Sequence, residues 1–394
     1  MDLDQTLEQT LYELNQMQGN LGTWIDITHS HVPQFGAANP TELIGRISFL
    51  AQEGYIERWE KQEVIPCRVR MQGKGIRHLG TVLAGNVAPQ VQTSSSPSND
   101  ISSITANKDN TEHLRRLIEQ LKSRGSVIPF VGAGLSMPYK LPGWKAFLEA
   151  EAGTWGILPA IKKRLKAGEY EEAAQYLEAK MTSFSLNAAI EKEYGDHRLE
   201  GQQLTGPASY IPKLVEGPVI TTNFDRVLEK VFEQAGIPFD LTIVGAKPDL
   251  IGRVTRTRSR GLLKLHGDWN DRTDRVLTKT EYDTQYGGAG PTSVDMTLLL
   301  PSSLSSFLAA HSLLFLGCSL DKDRTVTTLG QLAKVLPGMV HFAIVEDPKT
   351  VTKRIEKSSF LASLNILPIY YPTGQHEKIE ALLNFLVQES SPHP

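Results

Sequence analysis

Two cysteines in 394 residues, Cys67 and Cys318, are too few for a disulfide framework and for the four-thiolate zinc site that two CxxC pairs would build. That scarcity suits a reducing compartment, and a cytoplasmic location is expected. Charge of one sign is also missing: 41 Lys and Arg stand against 44 Asp and Glu, a formal balance of −3. A protein that coats a polyanion by releasing counterions is basic, so direct nucleic-acid binding is not expected. The opening MDLDQTLEQT has neither the basic nor the apolar region of a secretory or transit peptide, and no leader is expected there. Residues 296–320 carry no Asp, Glu, Lys or Arg and are long enough to cross a bilayer, but Pro301, His311 and several serines divide the run. A buried helix followed by an apolar strand at 313–316 is expected instead, and no membrane partner.

What remains is a chain of 40% hydrophobic and 22% charged residues, enough for two or three domains. The sharpest change of composition falls at 91–110, VQTSSSPSNDISSITANKDN, where Ser, Thr and Asn replace any apolar period. It reads as a flexible linker, placed at 85–110. Before it, in 1–84, Leu43, Ile44, Ile47 and Leu50 recur at helical spacing, then come an EGYI turn, the alternating VIPCRVRM and a GKG turn. This order describes a small α+β, winged-helix-like domain. Residues 1–80 hold seven basic against ten acidic side chains, a balance that suits a protein-contact module rather than a DNA reader.

After the linker, Leu114, Leu117, Ile118 and Leu121 form the stripe of an amphipathic helix. Apolar runs at 127–131, 219–221, 262–265, 313–316, 341–345 and 367–371 then alternate with helical segments. That alternation predicts an α/β domain over 111–390 with a Rossmann-like, mostly parallel sheet. Residues 145–215 lack β-rich sequence and read as a helical insertion.

Four motifs stand at expected strand ends. Gly132-Ala133-Gly134-Leu135-Ser136 suits a turn whose glycines let backbone approach a pyrophosphate while free N–H groups bind its charge. Met137 stands where a third glycine of the dinucleotide fingerprint would be, and a ligand-free turn is the alternative. Thr221-Thr222-Asn223-Phe224-Asp225 brings polar side chains to a strand's carboxyl end, where open α/β sheets bind ligands; capping of the next helix by Asn223 or Asp225 is the alternative. Lys264-Leu265-His266-Gly267 delivers a histidine that is either a base or a satisfied structural residue. Leu316-Gly317-Cys318-Ser319-Leu320 offers glycine and hydroxyl to a phosphate or ribose; Cys318 has no activating neighbour pattern and is not expected to be a nucleophile.

In that order GAGLS, TTNFD, KLHG and LFLGCSL resemble the sirtuins over roughly residues 111–388. The resemblance implies NAD binding, with Gly132, Ala133, Gly134 and Ser136 lining the dinucleotide and Thr222, Asn223 and Asp225 on the nicotinamide-ribose side. It also implies His266 as the catalytic histidine and Gly317 and Ser319 at the adenosine ribose or phosphate. Protein-deacylating sirtuins carry a zinc ribbon and a Pro-Asp-Phe-Arg segment; here there are no cysteines for the ribbon, no zinc is expected, and LPGW stands at 141–144. In both departures the chain is similar to zinc-ribbon-lacking, NAD-consuming effectors of bacterial antiphage defence. This implies an NAD⁺ glycohydrolase with NAD as substrate, Asn223 and His266 as catalytic residues, a homo-oligomer, and a regulatory or sensor protein encoded nearby. The near-neutral intrinsic pKa of histidine suits His266 to take a proton from water or a ribose hydroxyl. A zinc-free deacylase or ADP-ribosyltransferase, an NAD or ADP-ribose sensor without turnover, and a DNA-binding regulator are the alternatives.

Overall fold

The structure is a computed structural model, which describes residues 7, 10, 13, 14, 17, 25–33, 35, 37–52, 55–58, 67–71, 101–123, 127–257, 259–288, 290–308, 311–321, 323–336 and 338–391. The chain divides into two compact units, one of Met1–Thr93 with Phe232–Asp240 and one of Ser94–Val231 with Leu241–Pro394.

In the first unit β1 (Ile25–Ile27), α1 (Pro40–Gln52), β2 (Ile56–Arg58) and β3 (Cys67–Met71) follow one another. The strands form an antiparallel sheet in the order β1-β3-β2, with Ile25 opposite Val69 and Ile56 opposite Met71. Asn39 opens α1 by accepting the Glu42 N–H through Oδ1 at 2.9 Å. The helix buries Leu43, Ile44, Ile47 and Leu50, the stripe its spacing predicts, against Ile27, Phe35 and Val69. The expected GKG turn and residues 85–100 of the expected linker lie outside the described residues.

The last ten residues of that linker are not linker-like. Residues 101–110 fall largely within two helices, α2 (Ser102–Thr105) and α3 (Lys108–Lys122). Asn107 caps α3 by accepting from the Asp109 and Asn110 N–H groups. Asn110 is buried, and its carboxamide donates to Tyr370 O at 2.8 Å while accepting from Tyr370 N at 2.9 Å. The side chain thus copies the pairing of a neighbouring strand at a sheet edge, so residues that look like spacer are fastened by polar contacts that hydrophobic periodicity does not register.

The second unit is organised on seven strands: β4 (Val127–Val131), β5 (Val219–Thr221), β6 (Leu241–Val244), β7 (Gly261–Lys264), β8 (Ser312–Leu316), β9 (His341–Glu346) and β10 (Ile366–Tyr371). All six neighbour pairs are parallel, in the order β10-β9-β8-β4-β5-β7-β6. The Rossmann-like expectation holds. Strands β4 and β8 are buried at every residue, as parallel strands covered on both faces must be. Ile128, Phe130, Ile220, Leu263, Leu313, Phe315 and Ala343 form the centre of the core. Edge strand β6 is the one the sequence reading passed over: four residues with only Ile243 buried give too little alternation to detect.

Between β4 and β5 run α4 (Trp144–Thr154), α5 (Leu158–Lys166), α6 (Tyr170–Met181), α7 (Ser183–Tyr194) and the short α8 (Ile211–Leu214), with no strand among the described residues. These helices gather Phe147, Leu148, Ile161, Leu177 and Ile190 into a core of their own, which also takes in Phe224 from the loop after β5. Beyond β5 come α9 (Val227–Gln234), α10 (Pro248–Thr257), α11 (Lys279–Tyr286), α12 (Leu299–Leu308), α13 (Arg324–Val335), α14 (Val351–Ala362) and α15 (Glu377–Ser390). The uncharged stretch at 296–320 is therefore α12 followed by β8, and no helix among the described residues is long and apolar enough to cross a membrane.

Candidate active site

Strand register explains why four motifs scattered over almost 190 residues meet. Val131 pairs with Thr221 and with Leu316, and Thr221 pairs with Lys264, so these four residues share one level of the sheet. Two residues further on, at the carboxyl ends, stand Ala133, Asn223, His266 and Cys318. From β4 the chain winds toward β5 on one side, while β8, β9 and β10 extend the sheet on the other. The β4–β8 boundary is thus the topological switch point at which open α/β sheets hold ligands. A cavity of about 570 Å³ lies there, and Gly132, Ala133, Gly134, Thr222, His266, Gly317 and Ser319 line it. Ser136, Asn223 and Asp225 do not line it; all three are buried behind the wall.

The glycines serve chiefly to let two loops touch. The Gly132 N–H donates to Leu316 O at 2.8 Å, and the Gly134 N–H to Gly317 O at 2.9 Å. A Cβ on Gly132 would meet Gly317 O at 2.6 Å; one on Gly317, whose φ is +65°, would meet the Leu135 nitrogen at 2.5 Å. The Leu135 and Ser136 N–H groups close back on Gly132 O and Ala133 O. This corrects the expectation of a turn full of free amides: of those from 132 to 136, only the Ala133 N–H has no bond to a described residue. Cys318 sits at the same seam, where burial pushes its thiol up to about 12, so it stays protonated and supplies no thiolate.

Behind Thr222, Asn223 donates from Nδ2 to Ser136 Oγ at 3.1 Å, while its Oδ1 is buried without a partner among the described residues. Ser136 therefore orients Asn223 from behind rather than facing the cavity, because the turn that closes residues 133–136 carries it inward. Asp225 accepts the Val227 N–H at 3.0 Å through Oδ1, an Asx turn that leads into α9 from one residue before its N-cap position. Burial raises its pKa against the pull of Lys264.

Lys264 is fully buried at the end of β7. Its Nζ donates to Asp268 Oδ2 at 2.7 Å, Asp225 O at 2.7 Å, Glu229 Oε1 at 3.1 Å and Phe224 O at 3.3 Å. Arg226 adds contacts from Nε to Asp268 at 3.2 Å and from Nη1 to Asp196 at 2.9 Å. Neighbouring cations hold the Asp268 carboxyl below its ordinary range although burial opposes them. The network clamps the Thr222–Asp225 loop to the strand that carries His266.

His266 is 4% exposed, and its Nε2 lies 2.8 Å from the Tyr286 hydroxyl. Burial pushes its pKa down to about 3, so the expected near-neutral value does not hold and the ring is uncharged at neutral pH. Tyr286 Oη in turn lies 3.1 Å from Thr325 Oγ1. Tyr282 lines the cavity, meets the His266 ring edge-on at 5.4 Å between centroids and stacks on Tyr286 at 5.7 Å. Next to Thr325, the fully buried Arg324 pairs with Glu171 at 2.8 Å and with Asp283, tying α13 to α6 and α11. None of Tyr282, Tyr286, Arg324 or Thr325 was assigned a role from sequence. The two tyrosines sit at i and i+4 in KTEYDTQY, one helical face, which was the available signal.

Comparison with known proteins adds three findings. A family profile described as a SIR2-like domain matches residues 218–369, which contain the loops after β5, β7 and β8 but not the glycine loop after β4. This segment is similar to SIR2-like domains. No curated protein matches the chain. Among solved structures, a crystal structure of a SIR2 homolog–NAD complex is similar at 13% identity and a TM-score of 0.38, covering 70% of this chain and 95% of that one.

Proposed function

We propose that this chain is an NAD⁺ glycohydrolase, which cleaves the bond between nicotinamide and ribose to release nicotinamide and ADP-ribose. The observation that carries the reading is an uncharged imidazole, His266, in the wall of a cavity at the switch point of a parallel sheet, within the SIR2-like segment. In the reaction the ribose C1′–nitrogen bond breaks and its electron pair returns to the pyridinium, so nicotinamide leaves neutral and needs no general acid. Water bonds to C1′ and gives up a proton. What the site must supply is orientation, stabilisation of an oxocarbenium-like ribose, and an acceptor for that proton. His266 is the proposed acceptor. Glu149 and Asp321, also in the cavity wall, favour the cationic transition state, and Lys145 with the Ala133 N–H is offered to the diphosphate. Asn223, whose carboxamide oxygen is buried without a described partner one residue beyond the wall, is proposed to turn toward the bound ribose or the attacking water.

NAD consumption without restraint would kill the host cell, so the proposal extends to a regulated antiphage effector in the cytoplasm. Its acidic N-terminal unit, proposed to be winged-helix-like, would dock a sensor protein or a second copy of the chain. The test is incubation of the purified protein with NAD⁺, alone and with its genomic neighbours, followed by chromatography of the products. Nicotinamide and ADP-ribose are expected, with His266→Ala and Asn223→Ala each reduced on the order of 10²-fold or more at unchanged Tm. Near-wild-type turnover in either variant removes that residue from the mechanism. Measurable binding with NAD⁺ intact throughout replaces the enzyme with an NAD sensor.

A further inference from the structure

We propose that Tyr286 is a positioning residue that selects the tautomer of His266, leaving Nδ1 as the proton-accepting atom toward the cavity. The inference rests on the glycohydrolase reading and names the atom on which it turns. The chain His266 Nε2, Tyr286 Oη, Thr325 Oγ1 has links of 2.8 and 3.1 Å. His266 and Thr325 both border the cavity, whereas Tyr286 is fully buried between them. No described residue bonds to Nδ1. The ring cannot readily turn over, because Tyr282 and Tyr286 pack edge-on against it at 5.4 and 5.8 Å and the Val276 N–H holds the His266 carbonyl at 2.9 Å.

A phenol has one proton to give, so the chain runs in one of two directions. If Thr325 donates to Tyr286 and Tyr286 to Nε2, the imidazole proton sits on Nδ1, and the ring has no lone pair left for a proton from the cavity. If Nε2–H donates to Tyr286 and Tyr286 to Thr325, Nδ1 carries a lone pair instead. Burial pushes the Tyr286 hydroxyl far above its ordinary range, so it keeps its proton and always occupies one link. Only the second direction allows His266 to remove a proton from water or a ribose hydroxyl. When Nδ1 takes that proton, the Nε2–H bond to Tyr286 remains to stabilise the imidazolium, the orienting role a partner on the second nitrogen plays for a histidine base.

The experiment uses the full chain with its ten histidines ¹⁵N-labelled, the His266 signals being identified by their loss in His266→Asn. In the wild type, Nδ1 at the shift of an unprotonated nitrogen and Nε2 at that of a protonated one are expected. Tyr286→Phe keeps the ring packing and removes the hydroxyl; it should mix the two tautomers and lower kcat about 10- to 100-fold with KM for NAD⁺ changed less than about threefold. Thr325→Val, which leaves Tyr286 in place, should do the same more weakly and serves if Tyr286→Phe does not fold. A protonated Nδ1 in the wild type, or unmoved shifts and kcat in the variants, overturns the proposal. Because the shifts are read without substrate, a bare Nδ1 in a protein that leaves NAD⁺ intact would sink the glycohydrolase reading while sustaining the tautomer assignment.

Discussion

The seam between β4 and β8 and the seam between β5 and β7 lie two strands apart at the carboxyl end of the same sheet, and they are held by opposite means. At the first, side chains are removed so that backbone meets backbone: Gly132 and Gly134 bond to the carbonyls of Leu316 and Gly317 with no room for a Cβ. At the second, the backbone carbonyls of Phe224 and Asp225 are gathered by a buried ammonium, Lys264, whose charge is balanced by Asp268 and Glu229. The first arrangement is insensitive to charge and intolerant of volume. The second tolerates small changes of volume but not the loss of a charge. Between them the cavity gains a bare floor on one side and a fixed polar wall on the other.

The largest effect should come from the charged seam. Lys264→Met leaves Asp268 and Glu229 buried without their common partner, and removing one member of a buried ion pair costs about 3–5 kcal/mol. Urea denaturation at pH 7.5 measures it. A loss below about 1 kcal/mol would mean that Arg226 alone holds the loop, and the contrast between the seams would dissolve. At the glycine seam, Gly317→Ala places a methyl 2.5 Å from the Leu135 nitrogen in a left-handed conformation and should cost about 2–3 kcal/mol. Gly143→Ala is the control on the same cavity wall: nothing lies within 4 Å of its Cβ, and a change within about 0.5 kcal/mol is expected.

The two seams were not equally legible in the sequence. Strand ends, their parallel order and the convergence of four motifs could be read because continuous apolar runs mark buried parallel strands and glycine marks close approach. His266, expected at a strand end, lines the cavity. What could not be read is how hydrogen bonds are spent. The glycine loop looks like an amide cradle until its N–H groups are found committed to the neighbouring loop. Ser136 looks like a ligand until the turn carries it under Asn223. Tyr286 and Thr325 are separated from His266 by 20 and 59 positions, in segments with no recurring pattern, and only the packing of α11 and α13 brings their hydroxyls to the ring. Lys264 reads as an interruption of an apolar strand, and its burial follows from carboxylates on other elements.

Acid should act on the polar wall and spare the glycine seam. His266 titrates at about 3 when folded, against about 6.5 when unfolded, so its contribution to stability is complete above pH 6.5 and is lost as pH falls toward 3. His341 is lowered to about 4 by burial and adds in the same direction. Between pH 8 and pH 5 the His266 contribution should fall by about 2 kcal/mol, read as a drop in Tm that His266→Asn makes shallower. An equal slope in both proteins would show that His266 is solvated in solution.

The smallest effect tests whether the first seam is as free of charge as its backbone contacts suggest. Asp323 lines the cavity beyond Ser319 and caps α13, accepting the Val326 N–H at 2.8 Å. Burial raises its carboxyl to about 6, opposite in direction to the histidines. With an unfolded value near 3.8, the stability it contributes in protonated form is lost as pH rises through 6. Asp323→Asn preserves the cap through its carboxamide oxygen and removes the titration. It should therefore match the wild type at pH 4 and exceed it at pH 7.5 by about 1 kcal/mol, discounted for the partial exposure of the side chain. A variant less stable than the wild type at pH 7.5 would mean that the ionised carboxylate is favoured by the helix N-terminus more than it is penalised by burial. The glycine seam would then depend on charge as the lysine seam does.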